Sequence, residues 1–184
     1  MSTIAIILFL LIPDAQQIED NKYLTALLYL KTNTEISGKV KKYFKRNLKG
    51  SEINCGLLKF NVSNNIYFQS VSNFQDKIDY DKLAIDPEVL NNQLKDEAIN
   101  GFNSFQSSFI SQLIPQNSSR LHLAFSKPVG NYLLAEFYFR NNSDKETPFP
   151  LNAKVKRGTF VHLLFYFDEN NTVSEVYVSS FHYN

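Results

Sequence analysis

A single cysteine, Cys55, is all the chain carries, so no disulfide can close within it. That excludes a mini-domain held together by bridges. At 184 residues the chain is long enough for a hydrophobic core to suffice, and Cys55 reads as a small buried hydrophobe. Tryptophan is absent, and glycine and proline are sparse at six each, which rules out a collagen-like or low-complexity chain. Excess charge is lacking too: nineteen Lys and Arg against eighteen Asp and Glu leave a net +1. Bulk electrostatic attraction to nucleic acid or to acidic membranes is thereby excluded as a mode of action. No CxxC, HExxH, P-loop, GxGxxG or nucleophile-elbow motif occurs, and no internal repeat. What the chain does hold is 43% hydrophobic residues, with sixteen Phe and ten Tyr weighted toward its C-terminal half. Such aromatic loading fits a β-rich region.

One unbroken apolar run, Ile4 to Ile12, opens the chain. It is about half of the ~20 residues that cross a bilayer, and it fits the ~7–15-residue core of a secretory signal peptide. Ala15 suits the position before a cleavage site, although Pro13 stands where a small residue is usual and no Lys or Arg precedes the run. We therefore expect residues 1–15 to be a signal peptide and 16–184 to be a single α+β domain. That domain would be secreted or periplasmic, meeting a membrane only during export. The alternatives are a buried first strand in a cytoplasmic protein, or a retained anchor.

Ile18 to Lys31 carries apolar residues at helical spacing. Thr32 and Glu35 have the spacing of a capping box for a second helix, whose stripe is Ile36, Val40, Tyr43, Phe44 and Leu48. The lysines around that stripe read as a solvated face. Leu57 to Val71 reads as a hairpin turning at Ser63, Asn64 and Asn65. The acidic stretch Asp76 to Glu88 lacks the Gly and Glu of a calcium loop. Asp86 instead has the place of an N-cap, followed by Pro87 and Glu88. The helix it opens has the stripe Leu90, Leu94, Ala98, Phe102, Phe105, Phe109 and Leu113, with a kink expected at Gly101. Strands follow at Leu121–Phe125, Tyr132–Arg140, Val155–Phe167 and Val173–Tyr183. Tight connections, one of them at Lys127 to Gly130, predict a four-strand antiparallel meander.

Alternation along these strands separates two faces. Leu133, Ala135, Phe137, Phe139, Val161, Leu163, Phe165, Phe167, Val176 and Val178 make an apolar face suited to packing against helices. The other face mixes Tyr132, Leu134, Glu136 and Tyr138 with His162, Leu164 and Tyr166, then Tyr177, Ser179, Phe181 and Tyr183. A face too apolar for bulk water and too polar for an anonymous core suits a pocket wall or a protein interface. The candidate ligand-binding residues are therefore Tyr132, Glu136, Tyr138, His162, Tyr166 and Tyr177. His122, His162 and His182 lie on three strands without the local spacing of a metal site, so no metal or other cofactor is expected.

The order helix, helix, hairpin, long helix, meander is similar to the α+β rolls of the cystatin-like and nuclear-transport-factor-like class. That resemblance implies a curved sheet wrapped around a helix, often enclosing a pocket, and implies no particular function. The leading expectation is an exported, non-catalytic domain holding a small apolar ligand or a protein partner on the tyrosine-rich face, with a homodimer through that face as one form. The runner-up is a small enzyme of the same architecture using Glu136 and His162 as an acid–base pair. A third reading is a cytoplasmic interaction or inhibitor protein in which residues 1–15 form a structural strand. Sequons start at Asn61, Asn117, Asn141 and Asn170, and bear on function only in a eukaryotic secretory pathway.

Overall fold

In a computed structural model, the structure describes residues 15–44, 53–54, 57–63, 74, 86, 88–89, 92, 119–139 and 158–183. Two helices, α1 (Ala15–Thr32) and α2 (Thr34–Phe44), precede seven strands. These are β1 (Ile53–Asn54), β2 (Leu57–Leu58), β3 (Asn61–Val62), β4 (Leu121–Phe125), β5 (Tyr132–Phe139), β6 (Gly158–Phe167) and β7 (Val173–Tyr183). Strands β3 to β7 form one sheet in chain order, parallel between β3 and β4 and antiparallel elsewhere. The chain is thus α+β, with a five-strand, mostly antiparallel sheet. The apolar run 4–12, the turn of the expected hairpin, and the helix expected beyond Asn92 lie outside the described residues. Among the described residues, no helix is long and apolar enough to cross a membrane.

The helices cover the apolar face. Tyr23 packs its ring on Phe125 at 5.5 Å, Tyr29 meets Phe165 edge-on at 6.4 Å, and Phe44 meets Phe139 at 5.0 Å. Phe60, just before β3, closes on Phe137 at 5.1 Å. Leu121, Leu123, Phe125, Phe137, Val161, Leu163, Phe165 and Phe167 have no exposed surface. Each such side chain contributes about 1.5–3 kcal/mol by leaving water. Burial, followed by the charge of Glu35, raises the Tyr29 phenol above its ordinary value, against a smaller lowering by Lys39. Lys22 on α1 is 94% withdrawn from solvent; its ammonium donates to the Gly130 carbonyl and lies 6.0 Å from the Phe167 ring centre. The Tyr23 hydroxyl donates to the Ser126 carbonyl at 3.1 Å. Together these bonds pin α1 to the β4–β5 connection.

Three local expectations are corrected. The cap of α2 is Asn33, not Thr32: Asn33 Oδ1 accepts the Ile36 amide at 2.9 Å. Thr32 ends α1, and its hydroxyl turns back on that helix to donate to the Leu28 carbonyl at 2.9 Å. Asn33→Ala is expected to cost about 1 kcal/mol in thermal or urea unfolding, whereas Thr32→Ala, at an exposed site, should stay within about 0.5 kcal/mol. On α2 itself, Lys39 bonds Glu35 one turn away at 2.7 Å and holds its carboxyl below the ordinary value, chiefly through that hydrogen bond. A lowered carboxyl favours the folded state above its unfolded value and loses that contribution as pH falls. This pair is exposed, so the contribution is small.

The second correction concerns Leu57–Leu58. These residues pair antiparallel with the upstream Ile53–Asn54, and Asn61–Val62 pairs in parallel with β4. Asn61 donates to the Ser119 carbonyl at 2.7 Å, while the Ser119 hydroxyl donates to Lys59 O at 2.8 Å and accepts the Leu121 amide at 3.1 Å. Long-range side-chain bonds therefore hold β3 to β4, and the second strand of the expected hairpin lies outside the described residues. Third, the β4–β5 turn runs from Val129 to Tyr132, not from Lys127. Gly130 takes φ +52° at its first central position, the conformation of a primed hairpin turn that glycine tolerates best. Asp86 does act as a cap, accepting the amides of Glu88 at 2.7 Å and Val89 at 3.4 Å.

Candidate functional site

Strand register decides what the mixed face brings together. Ala124 on β4, Glu136 on β5, His162 on β6 and Ser179 on β7 are successive partners in one row across the sheet. The neighbouring rows are Leu134, Leu164 and Tyr177, then Tyr132, Tyr166 and Glu175. On the other side, Tyr138 pairs with His122, their rings 5.6 Å apart. Directly paired residues have Cβ atoms about 4.5–5.5 Å apart, so each row is a contiguous strip of side chains.

Glu136 and His162 meet. His162 Nε2 stands 2.7 Å from Glu136 Oε2, with side-chain exposures of 3% for His162 and 9% for Glu136. The contact is an ion-pair distance off the hydrogen-bond axis, and the other carboxyl oxygen, Oε1, has no hydrogen-bond partner among the described residues. A buried acceptor left in that state costs about 1–3 kcal/mol, and more if charged. Leu134 and Leu164 beside it are wholly buried, and Ala124 and Tyr132 nearly so. None of these four belongs to the cluster that the helices cover. Both faces of the sheet centre are therefore withdrawn from solvent.

The tyrosines divide by position. Tyr132 and Tyr166 pack against each other at 5.2 Å, tilted by 46°. Tyr177 donates its hydroxyl to the Glu175 carboxylate at the same end of the face. Tyr138 sits with His122 at the opposite end, so the six candidate residues span the face without closing into one cluster. Tyr132 is buried and Tyr138, Tyr166 and Tyr177 are half-buried, so no flat exposed tyrosine surface is present. Glu175 and Ser179 belong to the site and were left out of the sequence-derived set. Both are in phase with Tyr177, a signal that alternation offered. His162 lies in the Glu136 row, His122 beside Tyr138, and His182 pairs with Thr159. Among the described residues, no group of three or more His, Cys, Asp or Glu could hold a metal ion. The chain matches no protein family model, no curated protein and no solved structure.

The arrangement offers a strip of apolar and aromatic side chains, interrupted at its middle by one anchored carboxyl group with an oxygen to spare. Two of the four sequons fall on described residues. Asn61 spends its amide on Ser119, whereas Asn170 is exposed in the β6–β7 turn.

Proposed function

We propose that this protein binds a small, largely apolar ligand on the mixed sheet face without transforming it. The observation that carries this reading is Glu136 Oε1, buried in a row beside Leu134, Leu164 and Ala124 without a partner among the described residues. A protein that needed only stability would do as well with an apolar residue there. An oxygen kept in that position is explained by a donor that arrives from outside. A protein partner or a homodimer through this face would need a broad accessible surface, which buried Tyr132 does not offer. The roll architecture of the cystatin-like and nuclear-transport-factor-like class, with a kinked third helix and a four-strand meander, belongs to the same proposal. So does export through a signal peptide at residues 1–15, leaving one domain over 16–184.

The test uses N-phenyl-1-naphthylamine, a neutral apolar probe whose fluorescence rises in apolar surroundings. One saturable site per chain is expected. Methyl resonances of Leu134 and Leu164 should shift on saturation, while those of Leu133 and Leu163, one residue away on the helix-covered face, should not. Absence of saturable binding, or shifts confined to the helix-covered face, would overturn the reading. Export is tested separately by N-terminal sequencing of the native protein, where an intact Met1 in the cytoplasmic fraction would end that part.

A catalytic use of the same pair is the second reading, favoured by the 2.7 Å separation of Glu136 and His162. A ligand recovered unchanged after prolonged incubation with the protein separates binding from turnover.

A further inference from the structure

The two sequons on described residues, Asn61-Val62-Ser63 and Asn170-Asn171-Thr172, are treated by the fold in opposite ways. The first is built into the sheet. Asn61 donates its side-chain amide to the Ser119 carbonyl at 2.7 Å, Val62 is buried, and the Ser63 amide donates to the Leu123 carbonyl at 2.7 Å. The second is the tip of the β6–β7 hairpin. There Asp168 Oδ1 accepts the amides of Asn170 and Thr172, both at 2.9 Å. The Asp168 amide donates to the Thr172 carbonyl at 2.9 Å, and the Asn171 amide to the Asp168 carbonyl at 3.0 Å. Asn171 takes φ 57°, which asparagine adopts more readily than most residues. Main-chain groups and the Asp168 carboxyl therefore fasten this turn, and the exposed side chains of Asn170 and Thr172 take no part in those bonds.

We propose that Asn170 is an acceptor for N-linked glycosylation and that Asn61, in the folded protein, is not. The proposal rests on export through the signal peptide and on no part of the ligand-binding reading. In the transfer, Asn170 Nδ2 bonds to the anomeric carbon of an oligosaccharide carried on a polyprenyl pyrophosphate. The bond from that carbon to the pyrophosphate oxygen breaks, the polyprenyl pyrophosphate leaves with the electron pair, and one amide proton passes to solvent. Thr172 supplies the hydroxyl residue that the motif requires two positions on. A glycan is bulky and hydrated, so it has to end on the surface. At Asn170 it projects from the turn and displaces none of the bonds that hold it. At Asn61 it would load a half-buried side chain that fastens β3 to β4, and a chain modified there loses that fastening.

The experiment expresses the whole chain, with its own N-terminus, in a eukaryotic secretory host and recovers the folded protein from the medium. Peptide N-glycosidase converts a glycosylated asparagine to aspartate, so peptide mapping before and after digestion reads each sequon separately. The peptide holding Asn170 should carry a glycan, and the peptide holding Asn61 should carry none. N170Q and T172A should each lose the mass of one glycan, T172S should keep it, and N61Q should leave the glycan mass unchanged. An exported chain whose Asn170 peptide is unmodified would overturn the proposal and leave export standing. Modification of Asn61 in the folded protein would do the same. A chain retained in the cytoplasm with Met1 intact would overturn both.

Discussion

Phe165→Ala is expected to lower the free energy of unfolding by about 3–5 kcal/mol. Phe165 has no exposed surface and lies on β6 between Leu133 and Val176, its partners on the two neighbouring strands. Its ring also meets Tyr29 of α1 edge-on and stacks near Phe167, each at 6.4 Å. Removing the ring loses its transfer free energy and leaves a cavity. Because β5 and β7 are both held to β6 by their ladders, the walls of that cavity cannot close in. Domains of ordinary size are stable by only about 5–15 kcal/mol, so this one change consumes a large share. Urea unfolding monitored by tyrosine fluorescence checks it: the midpoint should fall sharply with an unchanged slope. A loss under about 1 kcal/mol would mean that the helices do not seal this face. Val176→Ala, at a half-buried position on β7, is a smaller perturbation of the same core.

The division of the sheet into two faces was legible because β5 and β6 alternate without interruption. Phe137 and Phe165 fall on one side, and Glu136 and His162 on the other, from parity alone. β7 shows where parity fails. Its register slips between Tyr166 and Phe167, so Tyr166 pairs with Glu175 and Phe167 with Val173, leaving Ser174 as an extra residue. Val173 therefore packs with the helix-covered core although strict counting from Val176 puts it on the other side. A bulge depends on how two strands meet and leaves no trace in one strand's pattern. The parallel β3 was equally hidden, since Asn61 and Val62 owe their place to Ser119 and Leu123, far along the chain. Local capping was half legible. Asp86 was readable from composition, whereas Thr32 and Asn33 are both plausible caps, and only the turn geometry decides between them.

That Glu136 and His162 share a face followed from the sequence; that they touch did not. Two strands with correct parity can still be staggered by two residues, which changes the partner without changing the face. The β5–β6 ladder from Tyr132↔Tyr166 to Phe137↔Val161, extended by the Phe167 amide donating to the Asn131 carbonyl at 2.9 Å, fixes that stagger, while the β4–β5 and β6–β7 turns fix those of the flanking pairs. In the latter, Asp168 Oδ1 accepts the amides of Asn170 and Thr172, both at 2.9 Å, and Asn171 takes φ 57°. The two turns align Ala124 with Glu136 and His162 with Ser179, and the β5–β6 ladder joins the two pairs into one row. The site is therefore specified partly by residues at the far ends of its strands.

His162→Leu is expected to destabilise the protein by about 3–5 kcal/mol, and Glu136→Leu by somewhat less, while His162→Leu and Glu136→Leu together should fall within about 1 kcal/mol of the wild type. Removing either partner leaves the other buried without its contact, and an unpaired carboxyl group, 91% withdrawn from water, is the costlier of the two to leave. The double replacement removes both polar groups and puts hydrocarbon beside Leu134 and Leu164, where it packs well. Urea unfolding of the four proteins closes a double-mutant cycle, and a coupling below about 0.5 kcal/mol would show that the two side chains do not depend on each other. The same four proteins also ask why the pair exists. If the double variant is as stable as the wild type, stability cannot be what keeps Glu136 and His162 in this sheet.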